Sequence, residues 1–516
     1  MLSLSGIICK IIGAVYRVPL SNILGAREMG YYQMAYPYYT FLVTVSTAGI
    51  PIAVSKLVAE ELSLKDECGA SKVLNTARVS LLAIGIICSL ALFLLADMLS
   101  KIASLPAISV PLKIISPSLV FVALVSGYRG YMQGRMNMTP TAVSQTVEQV
   151  SRLAAGVGFS LLFKDFGPGW AAGGAMTGVL VSEICGYAVM AAHCRIKGYI
   201  AKNKDCRYKK GGAAVLKSIY KIAFPVTIGA LAVSAVSVID SSMIMRILIK
   251  NGFSENSASS AYGLLAGFVS PVINMPSVLT GAVSVSVVPA VSAAAARKNS
   301  TRAAYIANTG FRLVMIVSFP CAIGLFILAE PILGLMYSSL TALELKSAVY
   351  LLRLLSPCVV LLGITQICSG VLQGMGRTVL PVTAMLLGAL LKVFIGLWLI
   401  KIPGVNIAGA AIGTLICFFA AAFACFLFLK KYAKMSADIK DAFLIPFLSA
   451  LLMGVLVFIT EGYIKGAVGT VISVLAGIVS YAIILLKLGG VRPEDMRFVP
   501  GGEKLGGFLT RLKIWR

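Results

Sequence analysis

Apolar residues along this chain gather in long windows separated by short stretches of charge, proline or glycine. A helix of ~20 apolar residues crosses the ~30 Å hydrocarbon core of a bilayer. Fourteen windows of that kind are legible, near residues 3–24, 33–58, 76–98, 110–134, 141–163, 169–193, 218–249, 261–291, 308–337, 348–374, 379–400, 404–429, 442–461 and 466–487. The ninth is long enough to hide an irregular break. The pattern predicts an all-α polytopic membrane protein of about 14 transmembrane helices. Lys10 and Arg17 interrupt the first window, which lacks the order of a cleavable signal peptide, so a retained first span is expected.

Composition agrees with the pattern. Hydrophobic residues make up 58% of 516 positions and charged ones 13%, against ~45–50% and ~25% in soluble chains. The formal charge of +25 suits nucleic acid in a soluble protein, but its placement follows topology here. Lys65 and Lys72, the run Arg195 to Lys217, Arg297, Lys298 and Arg302, and Lys430, Lys431, Lys434 and Lys440 fall in one set of alternate loops. The other set holds mostly single cations such as Arg27, expected in a solvated loop, and Lys101, Lys164 and Lys250. The positive-inside rule then makes both termini cytoplasmic in a multi-pass protein of the cell membrane, which requires an even number of spans.

The windows also repeat. YMQGRMNMTPT at 131–141 is echoed by VLQGMGRTVLP at 371–381, and Ser116-Pro117 by Ser356-Pro357, at one offset (373 − 133 = 240). Pro168-Gly169 and Gly174 to Gly178 match Pro403-Gly404 and Gly409 to Gly413 at 235, while Tyr31 and Val54-Ser55 align with Tyr262 and Val285-Ser286 at 231. Spans one to six are thus repeated as seven to twelve. A repeat unit with an even number of spans is a parallel repeat, the geometry of transporters whose lobes rock about a central cavity. The expected organisation is a six-helix lobe at 1–194, a basic cytoplasmic linker at 195–217, a second six-helix lobe at 218–430, two extra helices at 431–487 and a basic cytoplasmic tail at 488–516. Gly130, Gly134, Gly174, Gly178 and their counterparts provide small-xxx-small packing faces, and Pro37, Pro51, Pro271 and Pro276 mark helices that bend or break.

Charges within spans cost ~2.5–3.5 kcal/mol each on the gentler insertion scale and mark a cavity, a partner or the interface. Lys10, Arg17, Lys56, Arg152 and Lys392 are the candidate cavity cations for an anionic substrate, since guanidinium and ammonium groups bind phosphate. Glu148, Glu183 and Asp240 are candidates for coupling or ion pairing. Glu148 and Arg152, four apart, share a helix face and are expected to neutralise one another; Lys392 occupies the position of Arg152 in the repeat (392 − 152 = 240), with Gly388 in place of the acid. Gln33 and Tyr36, with their tyrosine neighbours, read equally as sugar contacts or as an interfacial aromatic belt.

Several classes are disfavoured. No GxxxxGK[ST] phosphate loop occurs, the only histidine is His193, and the eleven cysteines form no CxxC pair. The expectation is therefore no enzyme, no metal and no cofactor, with any energy drawn from an ion gradient or the membrane potential.

The stretches KIIGAVYRVPLSNILGAREMGYYQMAYPYYTFLVTVSTAGIPIAVSKLVAEE, YRGYMQGRMNMTPTAVSQTVEQVSRL and VLQGMGRTVLPV resemble the stage V sporulation protein B and polysaccharide-biosynthesis flippase family, within the multidrug/oligosaccharidyl-lipid/polysaccharide flippase superfamily. The resemblance implies two six-helix lobes in a V-shaped arrangement plus two C-terminal helices. It also implies movement of an undecaprenyl-pyrophosphate-linked sugar precursor, such as lipid II in peptidoglycan, spore cortex or polysaccharide synthesis, from the inner to the outer leaflet by alternating access. By position, Lys10, Arg17 and Lys56 stand for the cavity arginines of related peptidoglycan flippases, whereas their arginine in span eight has no counterpart in AYGLLAGFVSP. Expected partners are the lipid-linked oligosaccharide and membrane lipids, with envelope-synthesis enzymes as further candidates, no nucleic acid, and a monomeric state. The alternatives are a cation-coupled multidrug efflux antiporter, which needs acids such as Glu148, Glu183 and Asp240, and a membrane scaffold without transport.

Overall fold

The computed structural model describes residues 2–199, 211–433, 435, 440–464 and 466–490, and every regular element among them is helical. The chain divides into two compact units, Met1–Gly263 and Leu264–Arg516. In the first, α1 (Leu2–Thr47), α2 (Ile50–Ser63), α3 (Glu67–Ile102), α4 (Ser109–Ile115), α5 (Ser118–Gly134), α6 (Thr139–Phe163), α7 (Trp170–Ile196), α8 (Gly212–Lys250) and α9 (Glu255–Gly263) follow in order. The second contains α10 (Ser270–Asn274), α11 (Ser277–Ala296), α12 (Ser300–Ile327), α13 (Ala329–Met336), α14 (Ala342–Leu355), α15 (Cys358–Gly374), α16 (Val379–Ile400), α17 (Ile407–Tyr432), α18 (Ile445–Tyr463) and α19 (Ala467–Lys487). Packing and sequence register mark different things at the join: α8, the first helix of the second repeat, is tied into the first unit by hydroxyl bonds of Tyr38 with Ser242 (2.6 Å) and Thr44 with Ser234 (2.9 Å).

Among the described residues, ten helices are long and apolar enough to cross a membrane, or twelve when two bent pairs count as single spans. That is fewer than the fourteen windows, and two places account for the difference. Helix α1 is 46 residues long, roughly 69 Å at 1.5 Å per residue, more than twice the thickness of the hydrocarbon core. It is divided at Gly25, whose backbone (φ 68, ψ 176) leaves the helical region, a conformation that glycine adopts at little cost. The chain therefore turns between its first two windows without a loop, and Arg27 lies in helix rather than in the expected loop. Helix α6 fills the fifth window but is not among the apolar spans, because Gln145, Glu148, Gln149 and Arg152 interrupt its apolar residues.

The repeat is visible as repeated geometry. Ser116-Pro117 and Ser356-Pro357 both stand at a break between helices, and both breaks bend the chain by 43°. The doubled Gln-Gly phrase is a helix stop. Met136 N–H donates to Gln133 O and Asn137 N–H to Met132 O, and Gly376 N–H to Gln373 O and Arg377 N–H to Leu372 O, which is the Schellman pattern. The residue that turns left-handed is Met136 (φ 55) in one copy and Gly376 (φ 76) in the other.

The early part of the repeat is shifted from its expected register. Gly134 packs on Ser55 and Val58, Gly374 on Val288 and Val291; Asp66 and Asn299 cap α3 and α12; Lys65 and Lys298 precede them with positive φ. All agree on an offset of 233 (299 − 66), correcting the 231 read from weak similarity. Elsewhere α6 and α7 meet through Gly156 and Gly178, α16 and α17 through Gly396 and Gly413, so the small-residue faces do bring backbones together.

Helix interruptions follow proline only in part. Pro51, Pro271 and Pro276 stand at helix starts, but α1 continues through Pro37. A π-helical turn, Leu264–Val269, precedes α10, and the ninth window breaks at Leu328, between α12 and α13.

A left-handed L-residue costs ~1–2 kcal/mol, and glycine gives back ~0.5–1 kcal/mol in chain entropy. Met136→Gly should therefore raise the thermal unfolding midpoint in detergent and Gly376→Met lower it, each by the equivalent of about 0.5–1 kcal/mol. Shifts in the reverse directions would contradict the assigned corner geometry.

Candidate functional site

Four ionisable groups of the first unit meet where α5, α6 and α7 converge. Arg129 comes from α5, Glu148 and Arg152 from α6, and Glu183 from α7. Arg129 Nη2 donates to both oxygens of Glu148, at 2.7 Å to Oε2, and the Ser144 hydroxyl donates to Glu148 Oε1 at 2.8 Å. Arg152 Nη2 donates to Glu183 Oε1 at 3.1 Å and its Nε to Ser182 Oγ at 3.2 Å. The expected pairing of Glu148 with Arg152 along α6 does not form: a partner on a neighbouring helix meets each charge instead. Gly186 makes room, since a Cβ there would collide with the Glu148 carboxylate. The four groups are formally neutral together, and both acids are buried, with side chains 7% and 11% exposed.

A tyrosine patch adjoins this quartet. The rings of Tyr32 and Tyr36 stack with centroids 5.9 Å apart, and Tyr39 continues the row at 5.9 Å from Tyr36. All three phenols lie within electrostatic reach of Arg152. Tyr16 and Tyr32 lie within reach of both Arg152 and Arg17. Tyr16 is buried against Gly156, and its hydroxyl finds no hydrogen-bond partner among the described residues. Arg17 differs from Arg152 in being exposed, and no ion pair to it occurs among the described residues. Neutral quartet plus Arg17 leaves one net positive charge beside stacked rings. Chemically that suits a phosphate-bearing group and a flat polar ring face.

The other candidate residues fall elsewhere. The side chain of Lys10 lies outside the described residues. Lys56 pairs with Glu60 at 3.8 Å on the exposed face of α2, a pair of little energetic weight. Lys392, in the second unit, lies within electrostatic reach of Cys358, while Gly388 packs on Cys417 where Glu148 has its counterpart. Asp240 on α8 belongs to another group, near Tyr262. Gln33 is half-buried on α1, one residue along from Tyr32. Sequence reasoning missed Tyr16 and Ser144, which look like ordinary span residues. Arg129 lies in the fourth apolar window, but nothing in its own helix names Glu148 as its partner.

The second unit has an apolar groove. A pocket of about 330 Å³ lined by Phe311, Ile364, Phe423 and Phe426 is followed by one of about 530 Å³ lined by Phe319, Phe326, Pro357 and Phe447.

The family described as polysaccharide biosynthesis protein matches residues 1–295, and the MatE family matches residues 225–398. Stage V sporulation protein B of Bacillus subtilis (strain 168) is 25% identical over 506 residues, 96% of each chain. Lipid II flippase MurJ of the same organism is 25% identical over 538 residues, 98% of this chain and 97% of the relative. Among solved structures, lipid II flippase MurJ in an inward closed conformation superposes with a TM-score of 0.73 at 19% identity, over 93% of this chain and 97% of that one. An inward-facing multidrug resistance MATE family transporter gives 0.66 at 14% identity, over 83% and 94%. These likenesses establish the fold of a multi-pass membrane transporter.

Removing one partner of a buried ion pair costs ~3–5 kcal/mol, whereas replacing both by apolar groups is often neutral. Arg129→Met should destabilise the protein by about that much, and Arg129→Met with Glu148→Leu should recover most of the loss. Thermal unfolding in detergent reads both; a double variant no better than the single would reject the pairing.

Proposed function

Because the chain belongs to the polysaccharide biosynthesis protein family, we propose that it is a flippase for a polyprenyl-pyrophosphate-linked sugar precursor of the lipid II type. The observation that carries this reading is the placement of both Arg17 and Arg152 within electrostatic reach of Tyr16 and Tyr32, beside the stacked Tyr36 ring. With Glu148 and Glu183 already held by arginines, the free charge at the patch is positive. It suits a pyrophosphate, and the neighbouring rings and Gln33 suit a sugar. The phenylalanine-lined groove of the second unit, almost wholly apolar, suits the polyprenyl chain. Relatives named for lipid II flipping and for sporulation support the same substrate class.

Transport needs no bond chemistry, so the chain acts as a transporter rather than an enzyme. In this reading it works by alternating access in the cell membrane, both termini cytoplasmic, as a monomer without a resident cofactor, driven by an ion gradient or the membrane potential. Lys10, Lys56 and Lys392 stay candidates for steps of the cycle outside the patch, and Asp240 for coupling.

The MatE match favours a second reading, cation-coupled drug efflux. Efflux of cations needs an available carboxylate, and the pairing of Glu148 and Glu183 with arginines weighs against it. Sodium- or proton-dependent export of a cationic dye, abolished by Glu183→Gln, would support efflux over flipping.

Depletion of the protein together with any paralogue should cause the lipid-linked precursor to accumulate in the inner leaflet; an unchanged leaflet distribution would contradict the proposal. In complementation at equal protein levels, Arg17→Ala should fail where Arg27→Ala succeeds. Arg27 is half exposed and bonded to Glu28 at 3.3 Å, an arrangement worth ~0–1 kcal/mol. Equal tolerance of the two variants would remove Arg17 from the site.

A further inference from the structure

The two Gln-Gly corners are built alike but neutralised differently. In the first, Arg135 donates to both oxygens of Glu67 at 2.6 and 2.9 Å, and its guanidinium lies 4.0 Å from the centre of the Tyr199 ring. In the second, the guanidinium of Arg377 lies 3.8 Å from the centre of the Tyr432 ring, and the Lys431 nitrogen lies 5.5 Å from the same ring. Each arginine lies on a tyrosine at the end of its lobe's last helix, although the two tyrosines are not in register (432 − 199 = 233 against the 235 that joins α7 to α17), and the 233 offset of the capped helices puts Ser300 where Glu67 stands (300 − 67 = 233). The acid that closes the first corner is thus replaced by a hydroxyl residue in the second.

Arg377, Lys430 and Lys431 are exposed, and no carboxylate among the described residues pairs with any of them. The dipole of α17 accounts for Lys430 and Lys431 in its last turn, since cations are favoured at a helix C-terminus. It does not account for Arg377, which reaches the ring from the turn between α15 and α16. The ring attracts the guanidinium 3.8 Å from its centre, and the guanidinium's several N–H donors are of the kind that take a phosphate bidentately. The corner also lies where two apolar spanning helices, α15 and α17, end together, the level at which headgroups and interfacial tyrosines sit.

We propose that Arg377, Lys430 and Lys431 around Tyr432 form a binding site for the phosphate of an anionic phospholipid headgroup. The first corner, internally neutralised by Glu67, does not bind one. The site is separate from the tyrosine patch of the first unit and does not depend on the transported substrate.

The test is native mass spectrometry of the full chain in detergent, titrated with phosphatidylglycerol and phosphatidylcholine of identical acyl chains. The intact protein should retain phosphatidylglycerol preferentially. Lys431→Gln and Arg377→Gln should each weaken that retention roughly fivefold, matching the ~1 kcal/mol expected per basic residue at an anionic surface. Phosphatidylcholine retention should not change, and Arg135→Gln should leave the preference intact. Absence of a preference, or an undiminished preference in Lys431→Gln, which alters only an exposed charge, would overturn the proposal. Displacement of phosphatidylglycerol by millimolar inorganic phosphate would assign the site to a free anion and overturn it equally.

Discussion

Burial of charge in hydrocarbon is the constraint around which the first unit is arranged. Each ionised group there costs several kcal/mol unless it is paired and hydrogen-bonded. Arg129, Glu148, Arg152 and Glu183 meet that condition only because three helices converge on them. The glycines between α6 and α7 bring the carriers of Glu148 and Glu183 close enough, and Gly186 leaves room for the Glu148 carboxylate. A local sequence of small residues thereby fixes a helix contact, the contact fixes the ion pairs, and among the described residues Arg17 is left without an acid partner. A buried pair is not in itself a source of stability; its value here lies in holding Arg152 beside the tyrosines.

Duplication supplied the scaffold, and divergence divided the labour. Both copies retain the 43° bend at Ser-Pro, the Schellman stop at Gln-Gly and the glycine-mediated pairing of their last two helices. The second copy lacks the acids: Gly388 stands for Glu148 at the offset of 240 (388 − 148), and Phe418 for Glu183 at 235 (418 − 183). What it displays instead is a groove of phenylalanines. The charged cluster lies in the first unit and the apolar groove in the second.

Much of the fold was legible because it depends on local composition and on repetition. Apolar windows marked where helices lie but not always where they end, since α3 begins nine residues before its window (76 − 67) and the eighth window runs across α9, α10 and α11, while the 240 offset joined Ser116-Pro117 to its structural twin Ser356-Pro357, since the two prolines stand at the same break. The failures have equally specific causes. Gly25 turns the chain without a polar loop, so hydropathy placed Arg27 in one. Glu148 and Arg152 obey the four-residue rule for a helix face, but that rule is blind to Arg129 and Glu183 on other helices. The 231 register rested on weak identity, whereas cap positions and glycine contacts show 233. Tyr16 has no distinguishing mark in the sequence; its role rests on a hydroxyl left unpaired beside two arginines.

The central claim is that this chain alone moves a lipid-linked pyrophosphate sugar across a bilayer. Its most direct test is reconstitution of the purified protein into liposomes carrying a fluorescently labelled polyprenyl-pyrophosphate sugar, with a membrane-impermeant quencher reading the outer leaflet. The account predicts that label introduced in the inner leaflet becomes accessible to the quencher far faster than in protein-free vesicles. Equal rates in the two kinds of vesicle, with the protein folded and correctly inserted, would contradict it.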